Sequence, residues 1–331
     1  MFRQQSNQLA QTIKAIYNES KISELLKVSV ISHEKIIYTL VQQVLKRDLF
    51  YNARSHQSPQ KNHGILWLIL LALIFNLVNF VITILKYSFI PLLYRVVVRN
   101  PFDQLEKTSG LSFVFLNSAG GVDRLLNVIQ DIVQKEKYVM YYLFTRFPCK
   151  IFERSRKAPN TQYLQPHLPD KKAISGCLQF LFKNGHHFTS RLFRQFEQYP
   201  LSIRIYIASD IIQYIYSLII YYYWAKKMAY RLSKAHPCAL FVFDLDEASK
   251  ELMLSDLLNQ LGKRTLLIQH GILTDAKRYL PTCLYMACAS ERERQSLISE
   301  GVNQKRLFVI GQALQTINDS LINPNEDKLL Y

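Results

Sequence analysis

The sequence is poor in cysteine, glycine and proline, and each shortage excludes a class of protein. Five cysteines in 331 residues are too few for a disulfide-stapled fold, and none forms a CxxC pair with a second pair downstream, so we expect reduced, mostly buried thiols. Ten glycines and 11 prolines exclude collagen-like and low-complexity chains, and 49% hydrophobic residues can supply a core. The length predicts roughly two domains.

Acidic residues are also scarce. The chain has 25 Asp and Glu against 41 Lys and Arg, a formal charge of +16 that favours an anionic membrane surface or nucleic acid as partner. The sequence contains no zinc finger, RNP-like strand or recognition-helix pattern, so we expect membrane lipid and no nucleic acid. No signal-peptide h-region follows the first basic residue, so we expect attachment to the inner membrane with the folded domain facing the cytoplasm.

Long apolar runs are confined to two places. Residues 65–85 form a run of 21 residues without a charge, which is enough for a transmembrane helix. Asn76, Asn79 and the later Pro91 leave a re-entrant or interfacial hairpin open, a buried core helix is the alternative, and the flanking charges assign no orientation. The run at 211–225 is shorter, and we expect a packed helix there or one resting on lipid headgroups rather than a second span.

The remaining pattern divides the chain into four parts: a helical cap at 1–60, a linker with the hydrophobic segment at 61–100, an α/β domain at 104–316 and a tail at 317–331. In the third part, apolar strand-like runs at 111–118, 138–145, 239–246, 265–271, 282–290 and 306–311 alternate with helical patterns. This alternation predicts a single doubly wound, Rossmann-like domain, preceded by the cap and the membrane helix.

Ligands of open parallel sheets bind beyond the carboxyl ends of the strands, so the residues that follow each strand are the candidates for a site. His270 is the most interesting of them, because it lies between Gln269 and Gly271, and an imidazole there can accept a proton from an attacking hydroxyl. A structural histidine bonded to a neighbouring backbone group is the alternative. The candidates for substrate binding are Gly120, Gly121, Asp244, Gln269, Gly271 and Ser290.

The run DLDEASKELMLSDLLNQLGKRTLLIQHGI, followed by CLYMACAS and FVIGQAL, resembles the GT-B glycosyltransferases of bacterial capsule and polysialyl-type surface polysaccharides, and more distantly the CDP-glycerol glycerophosphotransferases. The resemblance implies that this domain is the acceptor-side half of a GT-B fold. It implies transfer from a nucleotide-activated sugar or polyol to a glycan or lipid-linked acceptor, without a permanently bound cofactor. It also implies that His270 is the catalytic base or a phosphate contact, and that Gly120 and Gly121 approach the acceptor.

The second, donor-binding domain of a GT-B enzyme has no counterpart after Gly311, so three readings stay open. The chain is a fragment or an inactive form, a partner chain supplies the donor domain, or the protein is a non-catalytic membrane-anchored domain that binds a glycan or a partner transferase.

A smaller alternative is phosphatase chemistry. FVFDLDEAS resembles the first motif of the haloacid dehalogenase phosphatases, which would make Asp244 the nucleophile and Asp246 the acid/base, but no GDxxxD follows to complete a Mg²⁺ site. His186 and His187 have no cysteine or carboxylate at ligand spacing, so we predict no metal site.

Overall fold

The protein is an α/β structure in which one parallel sheet packs beside a large group of helices. A computed structural model describes residues 2–19, 21–52, 65–97, 113–117, 138–143, 161–164, 169–197, 201–244, 249–268 and 280–310. The seven described strands are β1 (Phe113–Asn117), β2 (Tyr138–Leu143), β3 (Thr161–Leu164), β4 (Leu240–Phe243), β5 (Thr265–Ile268), β6 (Tyr285–Cys288) and β7 (Leu307–Val309).

The strands form one sheet in the order β3-β2-β1-β4-β5-β6-β7, and every neighbouring pair is parallel. Strands β1, β2 and β3 follow one another towards one edge of the sheet, and β4 to β7 follow one another towards the other edge. The strand order therefore reverses between β1 and β4. Parallel strands covered on both faces need continuous apolar runs. Phe241, Phe243 and Met286 meet that need, since all three are fully buried.

Six of the seven strands lie within the runs that the sequence predicts. In the run at 282–290, β6 begins only at Tyr285. Residues 282–284 before it form a bend, where the Leu284 N–H donates to the Thr265 hydroxyl at 2.7 Å. Strand β3 was not predicted. It has only four residues, in a part of the chain where no regular pattern is visible.

Two helices of the sheet half end at glycines. They are α8 (Ser249–Gln260) and α9 (Glu291–Ser299). Gly262 and Gly301 have φ of 70° and 90°, a conformation that favours glycine. At Gly262, the next N–H, of Lys263, reaches back to the Leu258 carbonyl at 3.0 Å and so closes a Schellman turn.

The helical half contains the other described helices: α1 (Phe2–Glu19), α2 (Ile22–Leu25), α3 (Val30–Asn52), α4 (Ile65–Val97), α5 (Lys171–Gln179), a π-helical turn (Phe180–Gly185), α6 (His186–Gln195) and α7 (Leu201–Ala235). Helix α7 is central and contacts α3, α4, α5, α6 and α8. The predicted cap lies against the sheet half, where the Ser29 N–H donates to Asp256 at 3.0 Å.

Helix α4 is longer and more regular than the sequence indicates. It runs unbroken for 33 residues through Lys86 and Pro91, so this segment is one helix and not a hairpin. A proline inside a helix removes one backbone hydrogen bond but does not always end the helix.

Candidate functional site

The first candidate site is the carboxyl edge of the sheet where the strand order reverses. The register pairs Leu116 of β1 with Phe243 of β4, so the next residues, Asn117 and Asp244, lie side by side at this edge. Crevices at such reversal points are where open α/β sheets bind ligands. Asp244 is only 2% exposed, so its carboxylate is held inside the protein at the end of β4.

Most of the other predicted site residues lie outside the described residues. These are Gly120, Gly121, Asp246, Gln269, His270 and Gly271. The described part of β5 ends at Ile268, between β4 and β6 and at the same edge as Asp244. The segment that carries His270 follows Ile268 directly in the sequence, so it starts from this edge. The roles assigned to its residues stay predictions.

Ser290 follows β6 at the same edge and has a local structural role. It is the N-cap of α9, and its hydroxyl accepts a hydrogen bond from the Glu293 N–H at 3.3 Å. Two strand spacings separate β6 from β4, and the register places Ser290 three residues beyond the position level with Asp244, so the two residues are about 14 Å apart. The capping bond uses a lone pair of the hydroxyl, and its proton can still be donated to a ligand.

The described cysteines do not contribute to this edge as reactive groups. Cys177, Cys238, Cys283 and Cys288 are all free, and only Cys238 is exposed. Within the described ranges, no group of three His, Cys, Asp or Glu residues is arranged to hold a metal ion.

The second candidate site is the outer face of α4. Every exposed side chain described on this helix between residues 70 and 89 is large and apolar. These side chains are Leu70, Leu73, Ile74, Leu77, Val78, Val81, Ile82, Leu85 and Phe89, and each is 42 to 63% exposed. A contiguous apolar surface of this size is rare on a soluble monomer and marks a contact with a protein or a membrane.

The covered face of α4 is the polar one. It carries Ala72, Asn76, Asn79, Thr83 and Tyr87, all buried and spaced three or four residues apart, so they form one stripe along the helix. A water-exposed helix buries its apolar face and shows its polar face. Helix α4 does the reverse, as membrane helices do when their polar residues face the protein.

Two asparagines hold this stripe to the other helices. The Asn76 amide donates to the Gly185 carbonyl at 2.9 Å and also to the Thr189 hydroxyl. The Asn79 carbonyl oxygen accepts from Ser209 at 2.7 Å and from Gln213 at 2.9 Å, both on α7. The residues that interrupt the apolar run in the sequence are therefore the ones that attach α4 to the protein.

Two of the described helices, α4 and α7, are long and apolar enough to cross a membrane. The two helices differ in burial. In α7, 61% of the apolar window Arg204–Ala235 is buried, whereas in α4 only 28% of the window Ala72–Phe89 is buried. Helix α7 is thus the packed helix that the sequence favours, while α4 keeps an apolar face uncovered.

A third feature, a cavity of about 720 Å³ between α5, α7 and α8, does not lie at the sheet edge. Lys171, Lys172, Lys226 and Lys227 line it. Sequence reasoning missed it because its lysines come from two helices that are more than 50 residues apart, and each Lys-Lys pair alone resembles an ordinary solvated surface.

The chain matches no protein-family model, no curated protein and no solved structure. The proposals for its function therefore rest on the geometry of these sites and on the sequence resemblance.

Proposed function

We propose that the protein is a membrane-attached, glycosyltransferase-like protein of cell-surface polysaccharide synthesis, and that its sheet is the Rossmann-like, acceptor-side half of a GT-B fold. The strand order is the main support. It reverses between β1 and β4, where open α/β sheets hold their ligand crevice, and Asp244 lies at this edge together with the end of β5, which precedes the segment with His270.

The proposed reaction transfers a sugar or polyol from a nucleotide-activated donor to a hydroxyl of a glycan or lipid-linked acceptor. With a sugar donor, the acceptor oxygen forms the new bond to the anomeric carbon, the bond from that carbon to the donor phosphate breaks, and the nucleotide leaves with both bonding electrons. With a polyol donor, the acceptor oxygen forms the new bond to the phosphorus next to the polyol, the P–O–P bond breaks, and the nucleoside monophosphate leaves with both bonding electrons. His270 accepts the proton of the attacking hydroxyl, a role that suits an imidazole near neutral pH.

A transfer assay tests this proposal. The full chain in phospholipid nanodiscs is mixed with a panel of radiolabelled nucleotide-sugars and a lipid extract of the source cells, with and without a protein extract from cells lacking the gene. We expect label in the lipid fraction, and a 10² to 10⁴-fold slower transfer by His270→Ala, the usual range for loss of a general base.

His187→Ala is the matched control, because His187 is exposed on α6 and outside the crevice. Absence of transfer under every condition would overturn the proposal, and glycan binding without transfer would favour the non-catalytic alternative. Full turnover by His270→Ala would remove His270 from the mechanism.

We further propose that α4 attaches the protein to the membrane by lying in the interface rather than by crossing the bilayer. The support is what packs beside it. The ring of Phe193 lies 5.8 Å from that of Phe75, and the Gly185 carbonyl accepts from Asn76, so the π-helical turn that carries the exposed Lys183 packs at the level of residues 75 and 76 of α4. If α4 crossed the bilayer, this lysine would be inside the hydrocarbon layer. If α4 lies in the plane of the interface, only its apolar face enters the membrane.

Vesicle flotation tests this attachment. We expect the chain to float with vesicles of phosphatidylcholine and phosphatidylglycerol, since the charge of +16 favours anionic lipid, and Leu77→Lys with Val81→Lys to reduce the bound fraction at least tenfold. Val30→Lys is the matched control, because Val30 is 76% exposed on α3. Unchanged flotation of the double variant would refute the role of α4. A dimer that does not float would identify a second copy as what covers this face.

A further inference from the structure

The cavity between α5, α7 and α8 has the charge of an anion-binding site. Its four lysines are exposed at their ends, and among the described residues none of them has an ion-pair partner. Asp170 is the single carboxylate in its lining. Its Oδ1 already accepts from the Ala173 N–H at 2.8 Å as the N-cap of α5. The lining therefore keeps a large excess of positive charge.

Helix α7 contributes one stripe of alternating aromatic and basic side chains. Tyr223, Lys227 and Tyr230 are separated by four and three residues, with Lys226 next to them, so all four lie on the same side of the helix. Lys234 extends the stripe, since its Nζ lies 4.5 Å from the centroid of the Tyr230 ring. The stripe offers ammonium groups to an anion. It offers aromatic ring faces to the rest of the ligand, the apolar or aromatic body that carries the anion.

Helix α5 presents its N-terminus to the same cavity. Lys171 and Lys172 are its first two residues, and their backbone N–H groups lie in the turn that has no intrahelical acceptor. The positive end of the helix dipole therefore adds to the two ammonium groups. Because this terminus comes together with lysines of α7 in a cavity, the arrangement is more than a capped helix end.

The inner part of the cavity is apolar and is held in place by close packing. Leu257, Leu261 and Ala229 line it together with the Tyr223 ring. A Cβ on Gly176 of α5 would lie 2.8 Å from Cε2 of Tyr223, so the glycine lets α5 approach α7 and holds the ring against the helix. A cavity of about 720 Å³ with an apolar wall and charged groups has the dimensions of a small-molecule site.

The cavity is separate from the crevice at the carboxyl edge of the sheet. Helix α8 follows β4 and precedes β5, so it runs antiparallel to the strands and starts near the carboxyl edge at Ser249. Leu257 and Leu261 are at its other end, about 12 to 18 Å further along at 1.5 Å per residue. A ligand in this cavity is therefore not in position to react in the crevice.

We propose that this cavity binds a phosphate or diphosphate group that is joined to an apolar or aromatic body. The lysines and the N-terminus of α5 hold the anion, and the leucines and tyrosines hold the body. A lipid phosphate and a soluble nucleotide share this chemistry, and the experiment distinguishes them. The proposal stands on the cavity alone and does not depend on the transfer reaction.

Calorimetric titration of the full chain in neutral phosphatidylcholine nanodiscs tests it with three probes: inorganic diphosphate, uridine diphosphate and farnesyl diphosphate. We expect farnesyl diphosphate or uridine diphosphate to bind at least tenfold more tightly than inorganic diphosphate, and added salt to weaken binding. The tighter of the two identifies the body as lipid-like or nucleotide-like. Equal affinity of all three would refute the role of the apolar wall, and no saturable binding would overturn the proposal.

Two double variants locate the binding: Lys226→Gln with Lys227→Gln, and Lys171→Gln with Lys172→Gln. Each should weaken binding at least tenfold with an unchanged thermal midpoint, because all four side chains are exposed. The matched control is Lys183→Gln with Lys305→Gln, two exposed lysines outside the cavity lining. Equal affinity of the variants and the control would place the ligand elsewhere and refute the assignment.

Discussion

Asn76 of α4 lies against Gly185 of the π-helical turn, 109 residues further along the chain, and its amide donates to the Gly185 carbonyl at 2.9 Å. Glycine eases this approach, because a Cβ at position 185 would be 3.1 Å from the Asn76 Oδ1, a tight contact. The same carbonyl accepts from the Thr189 hydroxyl at 2.8 Å. The π-helical turn thus exposes a carbonyl to side-chain donors, and α4 is joined to the bundle there.

Replacing Asn76 by leucine should lower the free energy of unfolding by about 2 kcal/mol, because the variant leaves buried polar groups with fewer partners. Urea denaturation in a mild detergent measures this change. Leu77→Met, on the exposed face of the same helix, should shift the midpoint little. A stable Asn76→Leu variant would contradict the docking of α4 described above.

Ser290→Ala should destabilise the protein by about 1 kcal/mol, the usual cost of losing an N-cap, and Ser290→Asp should restore the stability. The capping bond from the Glu293 N–H is the physical reason. Thermal unfolding of the two variants checks this, and equal midpoints for Ser290→Ala and the parent would refute the cap. If transfer activity falls in Ser290→Asp while stability is retained, Ser290 also contacts the acceptor.

Stability should fall on acidification below about pH 6.5, the ordinary pKa of histidine. Burial lowers the pKa of His236, whose Nε2 is hydrogen-bonded to the Tyr141 hydroxyl at 2.9 Å. Burial likewise lowers the pKa of His33, although Asp256 and Glu34 oppose the shift. A lowered pKa means that the unfolded chain binds the proton more readily, so stability is lost as the pH falls from the unfolded pKa towards the folded one.

Unfolding midpoints at pH 7.5, 6.5 and 5.5 test this dependence, and His236→Gln should flatten it. Gln removes the titrating ring and keeps a polar side chain in its place. The same slope in the parent and in His236→Gln would show that His236 does not contribute.

In a Cys149→Ser background, a maleimide should label the folded protein at Cys238 alone. Cys177, Cys283 and Cys288 are buried, and burial with Glu293 nearby raises the pKa of Cys288 to about 11, so its reactive thiolate is scarce at neutral pH. Mass spectrometry of the labelled peptides measures this. In urea all four should react, and labelling of Cys283 or Cys288 without denaturant would contradict the packing of β6.

Several elements could be predicted because their signals are local. A strand buried on both faces must be a short apolar run, so LFVF and TLLI identify β4 and β5 without knowledge of their neighbours. Gly262 and Gly301 mark helix ends because a positive φ strains other residues. The apolarity of α4 and the packed character of α7 also follow from local composition.

The π-helical turn and β3 could not be predicted. A π turn shifts the register of a helix, so the residues on either side of Phe180–Gly185 do not share one helical periodicity. The candidate site, too, could be predicted only in part. The position of Asp244 at a strand end follows from the sequence, but its placement beside Asn117 depends on the pairing of β1 with β4.

The sequence by itself determined where apolar strands and helices form and that the chain is strongly basic, because both properties depend on residue type and local spacing. Only the tertiary structure decided which side of α4 is covered. Asn76 and Asn79 interrupt an apolar run in the sequence, yet in the fold they contact partners more than 100 residues away. The same holds for the four lysines around the cavity, since the packing of α5 on α7, and not their spacing, brings them together.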